Sequence, residues 1–252
     1  MSEDLKHKRI LVTGASSGIG RAVARMANAR GAECVLVARS AEALAETKAQ
    51  CADPARCQVV VQDLAKVEAI GDWVRELVKR TGPFDGLVHA AGVGPATPIA
   101  YQDLDEVRNV MAINCLAFVE LVKALSREGA YAPNASFVDI ASVTAFGGYS
   151  LTLYSASKGA VCACVKSLAM ELVEKGIRVN SVCPSNVRTP MFLAASGSMH
   201  AGADLDELVR FHQPMGLIEP EDVAESTCFL LSEKSRKITG TNVILDAGCL
   251  AR

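Results

Sequence analysis

Tyr154 and Lys158 lie four residues apart in the run Tyr154-Ser155-Ala156-Ser157-Lys158. On a helix that spacing stacks them one turn apart on a single face. An ammonium beside a phenol favours the phenolate and lowers a pKa that is ordinarily about 10. A phenol tuned in this way can donate a proton at neutral pH and take it back. A half-buried ring beside a solvated charge has the same spacing, so the pair acquires meaning only from its surroundings. A second chemical feature is the glycine run Thr13 to Gly20, TGASSGIG, with the spacing Gly14-x3-Gly18-x-Gly20. Glycines let a backbone approach a pyrophosphate, and the N-terminus of a following helix presents unpaired N–H groups and a positive dipole end.

The elements needed to position these groups can be read around them. Residues 9–13 (RILVT) form an apolar strand that enters the glycine run, and Ile19, Val23 and Met26 mark the stripe of the helix that leaves it. Residues 33–38 (ECVLVA) are a second strand. An NAD site places an acid at its end to bind the ribose 2′-hydroxyl. Ala38 holds that place, followed by Arg39 and Ser40. Arginine pairs with a 2′-phosphate instead, with Ser40 adding a hydroxyl. After a helix over 41–51 and a third strand over 57–62, Asp63 can accept from an adenine amino group, cap the helix expected over 66–80, or do both. A fourth strand, 84–89, ends in His89-Ala90-Ala91-Gly92, small residues suited to close approach of a ligand.

Residues 103–127 read as one long helix with Asn114 inside an apolar stretch, where its amide must be paired. It is either a satisfied core amide or a holder of carbonyl or water near the reacting centre. A fifth strand, 134–141, ends at Ser142, whose hydroxyl would stand at the mouth of the sheet. A glycine-broken loop over 144–152 precedes the helix of Tyr154 and Lys158, and strands over 177–183 and 241–246 complete the pattern. A long loop over 192–213, with a short helical stretch at 205–211, has the length of a lid. Glu219-Pro220-Glu221-Asp222 opens a helix, with proline first and acids in the first turn. Alternating strands and helices predict a single α/β domain over 1–252: a doubly wound, seven-stranded parallel sheet with helices on both faces and a lid at about 190–213.

The composition excludes several classes. The chain has 252 residues, 50% hydrophobic and 5% aromatic, with formal net charge -2. No basic patch points to nucleic acid or to a membrane surface, and no apolar run reaches the roughly 20 residues of a membrane span. The polar start MSEDLKHKR lacks a signal core. Nine cysteines without a C-x-x-C pair read as core residues in a reducing, cytoplasmic compartment, and four isolated histidines make no metal spacing. The helices over 103–127 and from Tyr154 carry more apolar surface than one core requires, which predicts a homodimer or homotetramer.

Taken together, TG-x3-GIG on the first turn and Y-x3-K some 140 residues later, in this element order, resemble the short-chain dehydrogenase/reductase family along nearly the whole chain. Within it the chain is most similar to 3-oxoacyl-carrier-protein reductases, keto-reductases and hydroxysteroid dehydrogenases. The resemblance implies that Tyr154 is the acid/base, Lys158 lowers its pKa and holds the nicotinamide ribose, Ser142 hydrogen-bonds the substrate oxygen, and Asn114 holds a relay water. It implies a cofactor site from Gly14, Ser16, Ser17, Gly18, Ile19, Arg39, Ser40, Asp63, Leu64, Ala91, Gly92, Val187 and Thr189. The expected activity is NADP(H)-dependent interconversion of a ketone and a secondary alcohol. An NAD-dependent alcohol or hydroxysteroid dehydrogenase is the alternative, and a catalytically silent nucleotide sensor is the alternative of another class.

Three positions depart from the family pattern. His89-Ala90 replaces Asn-Asn, Ser185 replaces the glycine after Pro184, and the interval from Ser142 to Tyr154 is twelve residues where thirteen is common. Val93, Gly94, Phe146, Tyr149, Met191, Phe192 and Met199 are the pocket candidates. They are mostly apolar, which suits an acyl or steroid-like ketone.

Overall fold

In the computed structural model, which describes residues 3–95, 97–147, 151–199 and 205–251, the first strand already shows how the layers form. In β1 (Arg9–Thr13) successive side chains turn to opposite sides of the sheet. Ile10 and Val12 enter one buried cluster, whereas Leu11 enters the other. Both faces are therefore apolar, as a sheet covered on both sides requires.

The chain continues through α1 (Gly18–Ala29), β2 (Glu33–Ala38), α2 (Ala41–Ala49), β3 (Cys57–Val61), α3 (Ile70–Thr81) and β4 (Phe84–His89). It then forms α4 (Leu104–Met111), α5 (Ala117–Leu125), β5 (Tyr131–Ile140), α6 (Thr152–Leu172) and β6 (Arg178–Pro184). The last elements are α7 (Pro190–Met199), α8 (Leu205–His212), α9 (Pro220–Leu231) and β7 (Asn242–Leu245). The seven strands form one parallel sheet in the order β3-β2-β1-β4-β5-β6-β7. Val23 of α1 and Val223 of α9 fill one face, and Leu77 of α3, Leu121 of α5 and Val165 of α6 fill the other. The order reverses between β1 and β4, leaving a crevice at their carboxyl ends.

Local structure departs from the sequence reading in four places. The helix expected over 103–127 is interrupted by a π-helical turn at Ala112–Leu116 that buries Ile113, Asn114 and Cys115; single π turns of this kind concentrate at functional sites. The lid expected as a loop contains the ten-residue α7. Thr189 caps it, accepting from the Phe192 N–H at 3.3 Å. Pro190 then starts it with a preset φ, and Met, Leu and Ala favour continuation. Helix α3 begins at Ile70, too far for Asp63 to cap. The Asp63 carboxylate accepts from the Ala65 N–H at 3.1 Å and closes a turn. Strand bounds also shift, β5 starting at Tyr131 and β6 ending at Pro184. Among the described residues no helix is long and apolar enough to cross a membrane.

Candidate active site

A cleft of about 710 Å³ opens at the carboxyl ends of the strands. Its first wall is the glycine turn between β1 and α1, which contributes Gly14, Ser16, Ser17, Gly18 and Ile19. Gly14 has φ +66, and a Cβ there would stand 2.6 Å from the Ala90 carbonyl. A Cβ on Gly20 would stand 2.2 Å from the carbonyl oxygen of Gly14. The turn therefore packs against the end of β4 at a distance only glycine permits. Ser17, at the N-cap of α1, makes no side-chain capping bond, and the first turn holds no acid. The helix thus leaves its N–H groups and dipole for an anion.

The second wall comes from the ends of β2 and β3. Arg39 and Ser40 line the cleft with Asp63 and Leu64. Arg39 is exposed and forms no ion pair among the described residues. The Ser40 oxygen accepts from the Ala43 N–H at 3.2 Å, which caps α2 and leaves the hydroxyl proton available. The end of β2 carries Ala38, Arg39 and Ser40 and no carboxylate. The glycine cradle, the bare helix terminus and the unpaired guanidinium together fit a dinucleotide phosphate.

The third wall is catalytic in composition. Ser142, Tyr154 and Lys158 all line the cleft, with Ala91, Gly92, Val187 and Thr189 around them. The Ser142 oxygen accepts from the Thr144 N–H at 3.2 Å, so its proton remains free to point at a ligand. Lys158 is buried, and its Nζ donates to the Ile140 carbonyl at 2.6 Å. That Nζ lies 6.0 Å from the centroid of the Tyr154 ring and 3.9 Å from Asp139 Oδ2. One segment, Asp139 to Ser142, therefore anchors the ammonium and presents the hydroxyl.

Asn114 stands behind this wall instead of lining it. It is fully buried; its Oδ1 accepts from the Val93 N–H at 2.8 Å, and its Nδ2 donates to the Val93 carbonyl at 2.9 Å and to Ser157 Oγ at 3.0 Å. In this arrangement the amide is a brace for the segment after β4, with both of its protons engaged by protein. Phe146, expected as a pocket residue, is half exposed and does not line this cleft. Val93, Gly94, Met191 and Phe192 do line it. Tyr149 and the side chain of Met199 lie outside the described residues.

Two functional neighbours were not legible in advance. His89, the departure from asparagine, is completely buried; its Nε2 lies 3.0 Å from the Ile113 carbonyl and its Nδ1 2.9 Å from Thr13 Oγ1. A carbonyl only accepts, so Nε2 carries the proton and Nδ1 accepts from the Thr13 hydroxyl. Thr13 in turn accepts from the Ala91 N–H at 3.2 Å. Histidine thus ties the glycine turn, the end of β4 and the π turn beside Asn114. Burial, with the Lys158 charge nearby, pushes its pKa down to about 3, so the ring stays neutral. Asp139 is the second: it is completely buried, neither oxygen has a hydrogen-bond partner, and burial raises its pKa to about 7 against the pull of Lys158.

Ser185, Asn186, His212 and Cys249 also line the cleft. Ser185 and Asn186 follow the end of β6, a position that the strand-end rule could have flagged. His212 and Cys249 arrive from distant elements and carry no local signal. Among the described residues, no group of three or more His, Cys, Asp or Glu gathers as a metal site.

A family model described as Enoyl-(Acyl carrier protein) reductase matches residues 14–249. The chain is 31% identical over 257 residues to the short-chain dehydrogenase/reductase aba4 of Botryotinia fuckeliana (strain B05.10), covering 98% of each. It is 30% identical over 253 residues to 3beta-hydroxysteroid dehydrogenase 1 of Eggerthella lenta, covering 98% of this chain and 95% of that protein. Among solved structures it superposes on a short chain dehydrogenase from Burkholderia cenocepacia J2315 in complex with NADP, with a TM-score of 0.88, 27% identity, and 98% and 99% of the two chains covered.

Proposed function

Because the chain belongs to the short-chain dehydrogenase/reductase family, whose members are NAD(P)-dependent oxidoreductases, we propose that it interconverts an apolar ketone and its secondary alcohol with NADP(H). The observation that carries this reading is the sharing of one cleft by Tyr154, Lys158 and Ser142 with the glycine turn and Arg39. When bound, the nicotinamide supplies the hydride for reduction or takes it up for oxidation. In the reductive direction Ser142 donates a hydrogen bond to the carbonyl oxygen, where negative charge develops. Tyr154 passes its hydroxyl proton to that oxygen, and the Lys158 ammonium stabilises the phenolate left behind. Asn114 and His89 act through others, holding the Gly92–Val93 backbone and the glycine turn in register.

NADP(H) is favoured over NAD(H) by the arginine and the missing acid at the end of β2, and by the NADP complex of the similar Burkholderia enzyme. Val93, Met191 and Phe192 favour an acyl or steroid-like ketone. The 3beta-hydroxysteroid dehydrogenase among the relatives supports the steroid arm, and the acyl-carrier-protein description of the matching family model supports the acyl arm. Exposed apolar residues of α4, of the π turn and of α6, namely Leu104 (68%), Leu116 (47%) and Met170 (75%), support a face between copies of this chain. Nine free cysteines suit a reducing compartment such as the cytoplasm.

The test is a panel of acetoacetyl thioesters and steroid ketones with NADPH or NADH, run on the wild type and on Tyr154→Phe. The variant is expected to bind NADPH while turnover falls by at least about 10²–10⁴-fold. Retained turnover in Tyr154→Phe refutes the assignment. Nucleotide binding with no turnover of any ketone or alcohol favours a sensor.

A further inference from the structure

The serine that replaces a glycine after Pro184 has a partner far along the chain. Gln213 follows α8 and is completely buried. Its Oε1 accepts from the Asn186 N–H at 3.0 Å and from Ser185 Oγ at 3.2 Å. Its Nε2 donates to the Asn186 carbonyl at 3.1 Å and to the Gly216 carbonyl at 3.3 Å. All four hydrogen-bonding positions of the amide are used, which no shorter or apolar side chain can reproduce. Around it, Val187 and Ile218 form a parallel bridge, and the Arg188 N–H donates to the Ile218 carbonyl at 2.9 Å. Arg188 Nε reaches Glu219 Oε1 at 2.8 Å.

These bonds have a topological consequence. In the chain, α7 (Pro190–Met199) follows Ser185–Thr189 and α8 (Leu205–His212) precedes Gln213, so Ser185–Thr189 is the root before α7 and Gln213 the root after α8. The first root is also cleft wall, since Ser185, Asn186, Val187 and Thr189 all line it. A buried amide that must keep four bonds ties the two roots to each other and holds the wall in one shape.

We propose that Gln213 and Ser185 form a latch that fixes both roots of the α7–α8 segment and keeps the Ser185–Thr189 wall of the cleft ready for the dinucleotide, Gln213 being a positioning residue. The clause about the dinucleotide rests on the NADP(H) reading given above; the latch itself does not. A positioning latch acts on binding more than on chemistry, because the reacting groups are carried by the segment after β5 and by α6, and neither is one of the roots that it ties.

The experiment uses the full chain and the variants Gln213→Ala, Ser185→Ala and Ser185→Thr. Hydrogen exchange is measured first without nucleotide, by mass spectrometry of peptides covering 184–189 and 213–219. In Gln213→Ala the expected result is exchange at least tenfold faster in 184–189, remote in sequence from the substitution, with the protection of β5 unchanged. Ser185→Ala is expected to give a smaller increase in the same peptides, and Ser185→Thr, which keeps the hydroxyl, to restore it. The second measurement is NADPH affinity by fluorescence titration together with steady-state kinetics. Gln213→Ala is expected to raise Kd and KM for NADPH about tenfold while kcat falls less than threefold. Unchanged exchange in 184–189 for Gln213→Ala, or a fall in kcat equal to the rise in KM, overturns the latch. Failure of the wild type to bind NADPH or NADH overturns the cofactor reading instead, and the exchange data still decide the latch.

Discussion

Replacing Asp139 by asparagine is expected to make the protein more stable at alkaline pH and to leave it unchanged at acidic pH. The Asp139 carboxyl is completely buried, and both its oxygens are without hydrogen-bond partners. Facing it are Lys158 Nζ at 3.9 Å from α6, His89 in register on β4, and the thiols of Cys115, Cys162 and Cys183. Burial raises its pKa from 3.8 to about 7 despite Lys158. The folded state therefore holds this proton more tightly than the unfolded chain. Its contribution to stability is fully present below about pH 4, shrinks as pH rises, and is gone above about pH 7. A shift of roughly 3 units at about 1.4 kcal/mol each amounts to about 4 kcal/mol. For a chain of this size that corresponds to a melting-temperature difference on the order of 10 °C.

The asparagine side chain of the Asp139→Asn variant has the same shape as the carboxyl and never ionises. The assay is thermal unfolding of both proteins without nucleotide, from pH 4 to pH 8.5. The two curves should nearly coincide at pH 4, separate as pH rises from about 4 to about 7 with the variant higher, and run at a constant gap above that. His89 opposes this trend, its folded pKa of about 3 lying below the usual 6.5, so its contribution is lost as pH falls. That limb is common to both proteins and cancels in the difference. A difference in melting temperature that stays constant across the range, or that grows toward acid, refutes the reasoning.

Arg39→Asp is expected to lower the NADPH/NADH ratio of kcat/KM by roughly 10–100-fold, the loss of a charge-assisted pair worth about 1.5–3 kcal/mol; an unchanged ratio removes Arg39 from the cofactor site. Gly20→Ala places a Cβ 2.2 Å from the Gly14 carbonyl oxygen, so the turn must move. It should lose about 1–3 kcal/mol of stability in chemical unfolding and most of its NADPH affinity; wild-type values of both would mean that the turn has more room than its geometry implies. Light scattering of the wild type and of a double variant, Leu116→Glu with Met170→Glu, tests the proposed face between copies. The variant should have the lower mass, and equal masses exclude that face.

The family, the parallel seven-stranded sheet and the placing of Tyr154 and Lys158 on one helix are legible in the chain alone because each rests on local rules. A tyrosine and a lysine one helical turn apart need only a helix to share a face. A glycine run between strand and helix needs only its neighbours to form an anion site. The buried alternation of Ile10, Leu11 and Val12 is likewise a property of one strand. Which polar residues pair with which is a different kind of question. Asn114 reads in sequence as either a satisfied core amide or a holder of carbonyl or water, and only the packing of the π turn brings Val93 and Ser157 to its amide. His89 stands as an unexplained departure until Thr13 and Ile113 are brought to its two nitrogens from elements that are far away in the chain. Gln213 gives no local signal, since its four bonds exist only because the root of the lid returns beside the end of β6. Periodicity and spacing act over one turn or one strand, so they determined the scaffold and which side chains share a face. Desolvation and hydrogen-bond completion depend on everything within a few ångströms, so the tertiary structure alone decided which buried polar groups are paired, which remain orphaned, and which residues meet Gln213.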